Sequence, residues 1–552
     1  MVAALLRHRL IAAGGVATLL CGAAACSSTP AARAPDPVAA ERVAADRVSL
    51  DRIRDVTVAL TDPRMEGRST GTSGGERAAQ YLAAQFARLG LRPASGATSL
   101  LQSFPLYRAS VDSNGTVLRS GAVTLRFGTE FVPAGDGVPS AADAHGPIVF
   151  VGYGIRDSAS THDDLDGIDV RGKIVIVVVG RPTVTGETAP TGWMRSIGAS
   201  SVRAALVENG AAAILLVDRW PPSRYEAMAR ASGGSALQRD STQRLSACPV
   251  VIVSEAGAER LFEGSGRRFS DAYAAAARGE VVTRTLNGDG AVTVRLARER
   301  LAASNVVATM PGSDAALAGE AVVFMAHHDA FGFDDAGRIR AGAADNALGT
   351  AMLVAIADAI VSSGTRPRRT LIFLSTTGEE RGMLGALHWS EHPSVPLDHV
   401  VAALNFDGIG TEVYGPVRRV VGFGAELSTL GDHLANAEAL LGLTSEADPF
   451  GVQKPFMRSD HIVLARRGVP SLMLLGMPGD SVAISMRRAG AWIASAYHTA
   501  GDTIRNDWDW RGPRDLARLT LVTGLRVANA TSAPVWRTAS PFQRSAISDQ
   551  RE

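Results

Sequence analysis

The chain has 552 residues, of which 46% are hydrophobic and 20% are charged, and its formal net charge is +1. This length exceeds one ordinary domain, so we expect two domains with enough apolar material for their cores. The near balance of charges gives no reason to expect a surface for nucleic acid or for an anionic membrane.

The N-terminus has the pattern of an export signal. Arg7 and Arg9 precede an apolar stretch at residues 10–25, and small residues lead into Cys26. A basic start, an apolar core and small residues before a cleavage site are typical of secretory signals. The stretch is short and rich in Gly and Ala for a membrane-spanning helix. We therefore predict a signal at residues 1–26.

Cys26 follows three alanines, an ending that resembles a bacterial lipobox. We expect export as a periplasmic or outer-membrane-anchored lipoprotein with a lipid on Cys26, or else free secretion. Residues 27–42 are rich in Ala and Pro and are predicted to form a tether. Cys21 belongs to the signal, so Cys248 is the one thiol of the folded part and no intramolecular disulfide is expected.

The first folded segment is predicted at residues 43–136, as the first part of the main domain. It contains a helical region that ends near Leu60 and an amphipathic helix that stops at Gly90. The Gly-rich loop at residues 65–75 lies between them and contains a G-x-S-x-G match around Ser73. A nucleophile elbow needs a strand directly before it. Pro, Arg, Glu and Gly precede this match instead, so we interpret it as chance.

Residues 137–285 have a different character and are predicted to form an inserted β-rich domain. Short runs rich in Val and Ile alternate with turn residues, and few metal-ligand side chains occur. The predicted elements are strands at 147–155, 174–179, 210–217 and 248–253 and a helix at 202–209.

The segment 286–537 is predicted to be the second part of the main domain, followed by a tail at 538–552. Three apolar runs end in metal-type side chains: residues 321–326 precede His327, 370–375 lead to Glu379 and Glu380, and 400–405 lead to Asp407. A helical pattern separates the first two runs. We therefore predict an α/β fold with a mostly parallel central sheet flanked by helices. Sites in such sheets form beyond the carboxyl ends of the strands, so these side chains should converge at one rim.

These residue types suit a catalytic zinc centre. Zinc binds imidazole nitrogen and carboxylate oxygen and leaves a position for water. Two zinc ions about 3.5–4 Å apart can activate one water between them. The side chains available for such a pair are His327, Asp345, Glu380, Asp407 and His498. Glu379 is a spare carboxylate that could take the proton of the attacking water.

The sequences of these motifs and their order along the chain are recognisable. They are Ala326–Asp329, Gly342–Gly349, Thr377–Gly385, Asn405–Gly410, Ser459–His461 and Tyr497–Thr503, with an early loop at Glu66–Thr72 and a strand at Val170–Lys173. The chain resembles the co-catalytic zinc aminopeptidases of peptidase family M28, in the branch with an inserted protease-associated (PA) domain. Residues 137–285 would be that PA domain.

The resemblance implies a role for each matching residue. Asp345 would bridge two Zn²⁺ ions, with His327 and Asp407 completing one site and Glu380 and His498 the other. Glu379 would be the general base, Asp329 would orient His327, and Tyr497 would stabilise the oxyanion.

The implied function is an exported zinc aminopeptidase that hydrolyses the N-terminal bonds of peptides or proteins through a water between the two ions. The same fold could serve a carboxypeptidase, a dipeptidase or a glutaminyl cyclase. An acidic-dipeptide carboxypeptidase would need pocket arginines, for which Arg458 is the candidate. A binding protein on an inactive scaffold is a further alternative, but the full ligand set argues against it. A serine hydrolase built on Ser73 is the last alternative.

Overall fold

A computed structural model of the protein describes residues 37–134, 141–157, 161–182, 199–218, 236–239, 248–408, 410–450, 455–479, 481–538 and 540–543. The predicted signal, most of the tether and the end of the tail lie outside these ranges. The described helices are α1 (Pro37–Asp46), α2 (Leu50–Thr61), α3 (Ser73–Arg88), α4 (Ala199–Glu208), α5 (Glu255–Leu261), α6 (Phe269–Ala277), α7 (Leu348–Ser362), α8 (Leu384–Glu391), α9 (Leu430–Leu441), α10 (His461–Ala465), α11 (Val482–Ser495) and α12 (Arg511–Asn529).

Most of the described strands belong to one 16-stranded sheet. The strands are β1 (Leu101–Val111), β2 (Val117–Ser120), β3 (Val123–Thr124), β4 (Phe131–Pro133), β5 (Ala141–Phe150), β6 (Arg156–Asp157), β7 (His162–Asp163), β8 (Ile174–Val178), β9 (Ala213–Val217), β10 (Ala236–Arg239), β11 (Val250–Val253), β12 (Arg284–Met310), β13 (Ala321–His327), β14 (Gly332–Phe333), β15 (Ile339–Arg340), β16 (Thr370–Thr376), β17 (Val400–Phe406), β18 (Val417–Phe423), β19 (Thr444–Glu446) and β20 (Ser471–Pro478). The pairs β6–β7 and β14–β15 form two small separate sheets.

The strands that lead to the predicted site are parallel neighbours. The order through this part of the sheet is β20-β17-β13-β16, and each pair in it is parallel. Ala326 pairs with Ser375 on one side and with Phe406 on the other, so three strands end level with one another. The predicted α/β fold with a mostly parallel central sheet is confirmed in this part of the chain.

Successive residues of these strands enter two different cores. Val322 and Phe324 pack into the core beneath α1, α2, α7 and α12, while Val323 and Met325 pack into the core on the other face. Strands buried on both faces need continuous apolar runs, which explains why β13, β16 and β17 lack polar alternation. Helices therefore cover both faces and leave the carboxyl edge free for a site.

Helix α7 is the centre of one of these cores. With the turn before it, it forms a helix at Ala343–Ser362 that is long and apolar enough to cross a membrane, but 89% of its apolar window is buried inside the protein. Such burial is typical of a core helix in a folded domain. Its first turn begins at the site.

Strand β12 joins the two parts of the sheet. Its first half pairs with β5 and β2, and its second half pairs with β1 and β16. The strand therefore crosses the predicted domain boundary at residues 285/286, where its pairing with β5 shifts register between Thr285 and Asp289. Strand β4 (Phe131–Pro133), which we assigned to the main domain, pairs with β11 of the predicted insertion. The predicted tether also ends early, because α1 begins at Pro37.

Candidate metal centre

His327 is the last residue of β13 and points its ring into a group of carboxylates. Its Nε2 atom lies 3.3 Å from Asp345 Oδ1, 3.4 Å from Asp407 Oδ1 and 4.0 Å from Glu379 Oε2. The side chain is 1% exposed, and Nε2 has no hydrogen-bond partner among the described residues. A buried ring nitrogen without a partner is costly unless a ligand occupies it.

Asp345 lies in the turn that leads into α7. Asp502 fixes this turn from far along the chain, because its two carboxylate oxygens accept the backbone N–H groups of Ala344 (2.9 Å) and Asp345 (3.1 Å). Asn346 fixes it from the other side by donating to Phe406 O at 2.7 Å. The Asp345 carboxylate is thereby held at the carboxyl edge of the sheet.

Glu379 and Glu380 follow β16 in a short turn at Glu379–Arg381. Adjacent residues in a turn point in different directions, and here they reach different partners. Glu380 Oε2 lies 3.1 Å from His498 Nε2, while Glu379 faces His327. His498 also lies 3.4 Å from Asp345 Oδ2.

Two metal-type groups therefore share one carboxylate. His327, Asp345 and Asp407 offer ligand atoms that lie within 4.8 Å of one another, and so do Asp345, Glu380 and His498. The two oxygens of Asp345 face different groups. Imidazole and carboxylate donors fit zinc. The buried atoms His327 Nε2 and Glu380 Oε1, both without a hydrogen-bond partner in the described chain, support that fit.

Asp329 lies behind His327 and connects several parts of the site. The ring Nδ1 of His327 lies 3.2 Å from the Asp329 carbonyl oxygen and 3.5 Å from its carboxylate. That carboxylate also accepts Thr70 Oγ1 at 3.0 Å and the Glu379 backbone N–H at 3.2 Å. Such contacts fix ring orientation and the position of the next loop.

The cluster contains more carboxylates than imidazoles, and the pKa values of several of its members are shifted accordingly. Burial raises the pKa of Glu379 well above its ordinary value, and burial together with Asp345 raises the pKa of Glu380 to about 7. Burial opposes charging of His498, but Asp345 and Glu380 raise its pKa to about 9. Burial likewise opposes charging of His327, yet the carboxylates around it raise its pKa well above the ordinary value. A bound divalent cation would favour ionised carboxylates and neutral imidazoles instead.

Arg68 supports the site, and its role was not predicted from the sequence. The side chain is fully buried and donates to His328 O (2.7 Å), Ala341 O (2.6 Å) and Gly342 O (2.8 Å). It ties the loop after β13 to the turn before Asp345. The sequence signal for Arg68 was its place in the early loop at Glu66–Thr72, which belongs to the family resemblance but does not reveal these contacts.

Several other predicted residues lie around the cluster rather than in it. Tyr497 stacks on the ring of His498 at 3.6 Å and lines the same pocket. Asp460 accepts a hydrogen bond from Thr376, and His461 lies 3.2 Å from Asn405; both are fully buried. Ser73 follows a helical turn, not a strand, and donates to Glu66, as expected for a chance match.

Residues 305–523 match the sequence model of peptidase family M28. This chain carries an M28 peptidase domain. All members of the two metal-type groups lie within the matched range, and M28 is a family of metallopeptidases. The predicted M28 resemblance is thus confirmed for this part of the chain, whereas the PA domain stays a prediction.

The M28 domain also has similar curated and solved relatives. Transferrin receptor protein 2 of Rattus norvegicus is 42% identical over 73 residues, which are 13% of this chain and 8% of the receptor. A vacuolar membrane protease of Ajellomyces dermatitidis is 28% identical over 165 residues, 30% of this chain and 15% of the protease. The chain therefore spans only a small fraction of the curated relatives that it matches.

Among solved structures, an aminopeptidase from Aneurinibacillus sp. strain AM-1 is 18% identical and has a TM-score of 0.49, with 89% of this chain and 97% of that chain covered. A zinc aminopeptidase from Bacillus subtilis is 16% identical and has a TM-score of 0.44, with 88% and 96% covered.

Proposed function

We propose that this protein is an exported zinc-dependent aminopeptidase. The observation that carries the proposal is the pair of acid–imidazole groups that share Asp345, with Glu379 beside them, inside an M28 domain. His327, Asp345 and Asp407 would hold one zinc ion, and Asp345, Glu380 and His498 the other.

Bound zinc would supply an activated water and polarise the scissile carbonyl. Glu379 is free for proton transfer because it belongs to neither metal-type group, although its Oε2 lies near His327. It takes the proton of the attacking water and gives it to the leaving amine.

Tyr497 has its place at the pocket wall, against His498. Burial raises the pKa of its phenol, so the hydroxyl keeps its proton. It can therefore donate a hydrogen bond to the oxyanion that develops on the substrate.

The test compares a free amine with a blocked one. Leucyl-p-nitroanilide and N-acetyl-leucyl-p-nitroanilide are incubated with the full chain before chelation, after 1,10-phenanthroline and dialysis, and after zinc is added back. We expect hydrolysis of the free-amine substrate only, its loss on chelation, its return with zinc, and two zinc ions per chain by elemental analysis. Turnover that survives chelation would refute the zinc mechanism, and equal cleavage of both substrates would refute the aminopeptidase assignment.

Export is part of the proposal and rests on residues 1–26 of the sequence, which lie outside the described residues. Intact-mass analysis of the protein from membranes is expected to find a chain that begins at a lipidated Cys26. A mature chain without lipid that begins elsewhere would favour free secretion.

A further inference from the structure

The cleft at the metal-type cluster is a pocket of about 370 Å³. That volume is at the small end of ligand pockets, which span about 300–1,000 Å³. The lining joins the acidic cluster to an apolar part that is formed by Phe423, Phe450, Met473, Leu475 and Ile493. A pocket of this size and composition suits a small ligand with one charged end and one apolar group.

Arg458 is the one lysine or arginine among the lining residues of this pocket. Its side chain is exposed and makes no ion pair or hydrogen bond within the part of the chain that the structure describes. The guanidinium lies within electrostatic reach of the Tyr497 phenol. A cation beside this cleft that has no counter-ion among the described residues can bind an anionic group of a ligand.

The backbone at Arg458 is held in place although the guanidinium is free. Its N–H donates to Pro455 O at 3.0 Å and closes the turn Pro455–Met457. The next residue, Ser459, is buried, and its hydroxyl accepts Asn405 Nδ2 at 2.8 Å. The base of the Arg458 side chain is thus anchored to β17, the strand that also carries the loop with Asp407.

The chemistry of these charges selects a class of ligand. Guanidinium matches a carboxylate with two parallel hydrogen bonds, and the proposed function places the N-terminal amine of a peptide at the metal-type cluster. A short peptide carries both groups at a separation that a small pocket can span. We propose that Arg458 binds a substrate carboxylate, so that the enzyme prefers di- and tripeptides, or peptides with an acidic residue beside the scissile bond. This inference rests on the proposed aminopeptidase function.

Calorimetry on the zinc-loaded Glu379→Gln protein tests the inference without turnover. The ligands are Leu-Gly, Leu-Gly-amide and Leu-Asp-amide. We expect a ligand with a carboxylate to bind about ten- to a hundredfold more tightly than Leu-Gly-amide, the range of a hydrogen bond to a charged group. Tighter Leu-Gly identifies the C-terminal carboxylate as the group recognised, and tighter Leu-Asp-amide identifies an acidic side chain.

Second-site variants show whether Arg458 is responsible. Arg458→Gln should remove the carboxylate preference and leave the affinity for Leu-Gly-amide unchanged, while Arg458→Lys should retain part of the preference. Arg487→Gln removes an exposed arginine of α11 and is the matched control, with the preference intact. Equal binding of all three ligands, or an equal loss for all three in Arg458→Gln, would overturn the proposal.

Turnover of leucyl-p-nitroanilide by the enzyme with Glu379 intact keeps the two proposals apart. Zinc-dependent turnover without a carboxylate preference in calorimetry leaves the aminopeptidase standing and removes the role of Arg458. A carboxylate preference without turnover supports Arg458 as a binding residue and rejects the aminopeptidase.

Discussion

At the scale of single residues, Asp345 holds the site together. Its Oδ1 atom lies 3.3 Å from His327 Nε2, and its Oδ2 atom lies 3.4 Å from His498 Nε2. Burial raises the pKa of this carboxyl, but its bonds to the two histidines prevail and lower it to about 2. Asp345 therefore stays ionised at neutral pH.

Glu379→Gln separates metal binding from proton transfer. Gln keeps the size of the side chain but cannot take a proton from water, so we expect kcat to fall by about a hundredfold or more. Zinc content should stay at the wild-type value because Glu379 lies outside both metal-type groups. Elemental analysis and anilide kinetics on one preparation measure both quantities. A variant that keeps most of its kcat would remove Glu379 from the mechanism.

Asp502→Asn tests the support of Asp345. Both oxygens of Asp502 accept backbone N–H groups, and an amide turns one of these acceptors into a donor that faces another donor. We expect zinc affinity to fall about 10–100-fold, the usual cost of losing a partner behind a ligand. Titration of the metal-free protein with zinc measures the change. Asp507→Asn, an exposed acid paired with Arg505, is the matched control and should leave the affinity unchanged.

The convergence of the metal-type side chains could be predicted from sequence because each follows a recognisable run or belongs to a family motif. The residues that hold these side chains in place could not be predicted. Arg68 donates across more than 250 positions to backbone carbonyls, and backbone acceptors leave no mark on the sequence. Asp502 could be interpreted only as a loop brace, because its partners are likewise backbone groups. Side chains that support a site by hydrogen bonds to backbone groups therefore cannot be recognised from residue types alone.

At the scale of elements, α12 shows how closely a helix lies on the sheet. A Cβ atom added at Gly524 would lie 2.1 Å from Phe324 Cζ and 3.1 Å from Leu404 Cδ1. Both contacts are side chains of the strands that carry the site. The absence of a side chain at Gly524 therefore sets the distance between α12 and the central strands.

Gly524→Ala should destabilise the protein even though alanine favours helix. Helix propensity would add about 1 kcal/mol, but overpacking a full core costs about 1–3 kcal/mol. We expect a net loss of up to about 2 kcal/mol in the free energy of unfolding, measured by denaturant titration. Gly490→Ala in α11, where nothing lies within 4 Å, should instead gain up to about 1 kcal/mol. A gain at both positions would contradict the packing at Gly524.

The bounds of strands that are buried on both faces were predicted well from their apolar runs. The bounds of a strand that forms mainly because a distant strand pairs with it were predicted poorly. The runs before His327, Glu379 and Asp407 are the observed strands β13, β16 and β17. In the middle of β12, residues 295–300 are mostly charged, so no apolar pattern marks them. They form a strand because β1 pairs with them along its whole length. Such a partner lies almost 200 positions away, beyond the reach of local patterns.

At the scale of the whole molecule, β12 makes the predicted insertion and the M28 domain share one sheet. A side-chain contact supports this union. Arg239 at the end of β10 pairs with Glu391 at the end of α8 at 2.7 Å, and Arg467 lies 3.4 Å from the same carboxylate. The two parts of the chain are therefore joined both by backbone pairing and by partly exposed ion pairs.

The reactivity of the Cys248 thiol indicates whether the predicted insertion is folded. The thiol is buried, and burial raises its pKa to about 11. It therefore stays protonated and unreactive in the native protein up to about pH 9. We expect Ellman's reagent at pH 8 to modify it slowly in native protein and within seconds in guanidinium chloride. The Cys248→Ser variant supplies the background reaction, and rapid modification of the native thiol would contradict its burial.

The late position of His498 has a consequence for biosynthesis. One metal-type group is complete once Asp407 has been made, but the other waits for His498, and the brace of Asp345 waits for Asp502. A chain that is still growing on the ribosome therefore cannot assemble the shared site. Any hydrolytic activity therefore requires the chain to have been synthesised at least as far as Asp502.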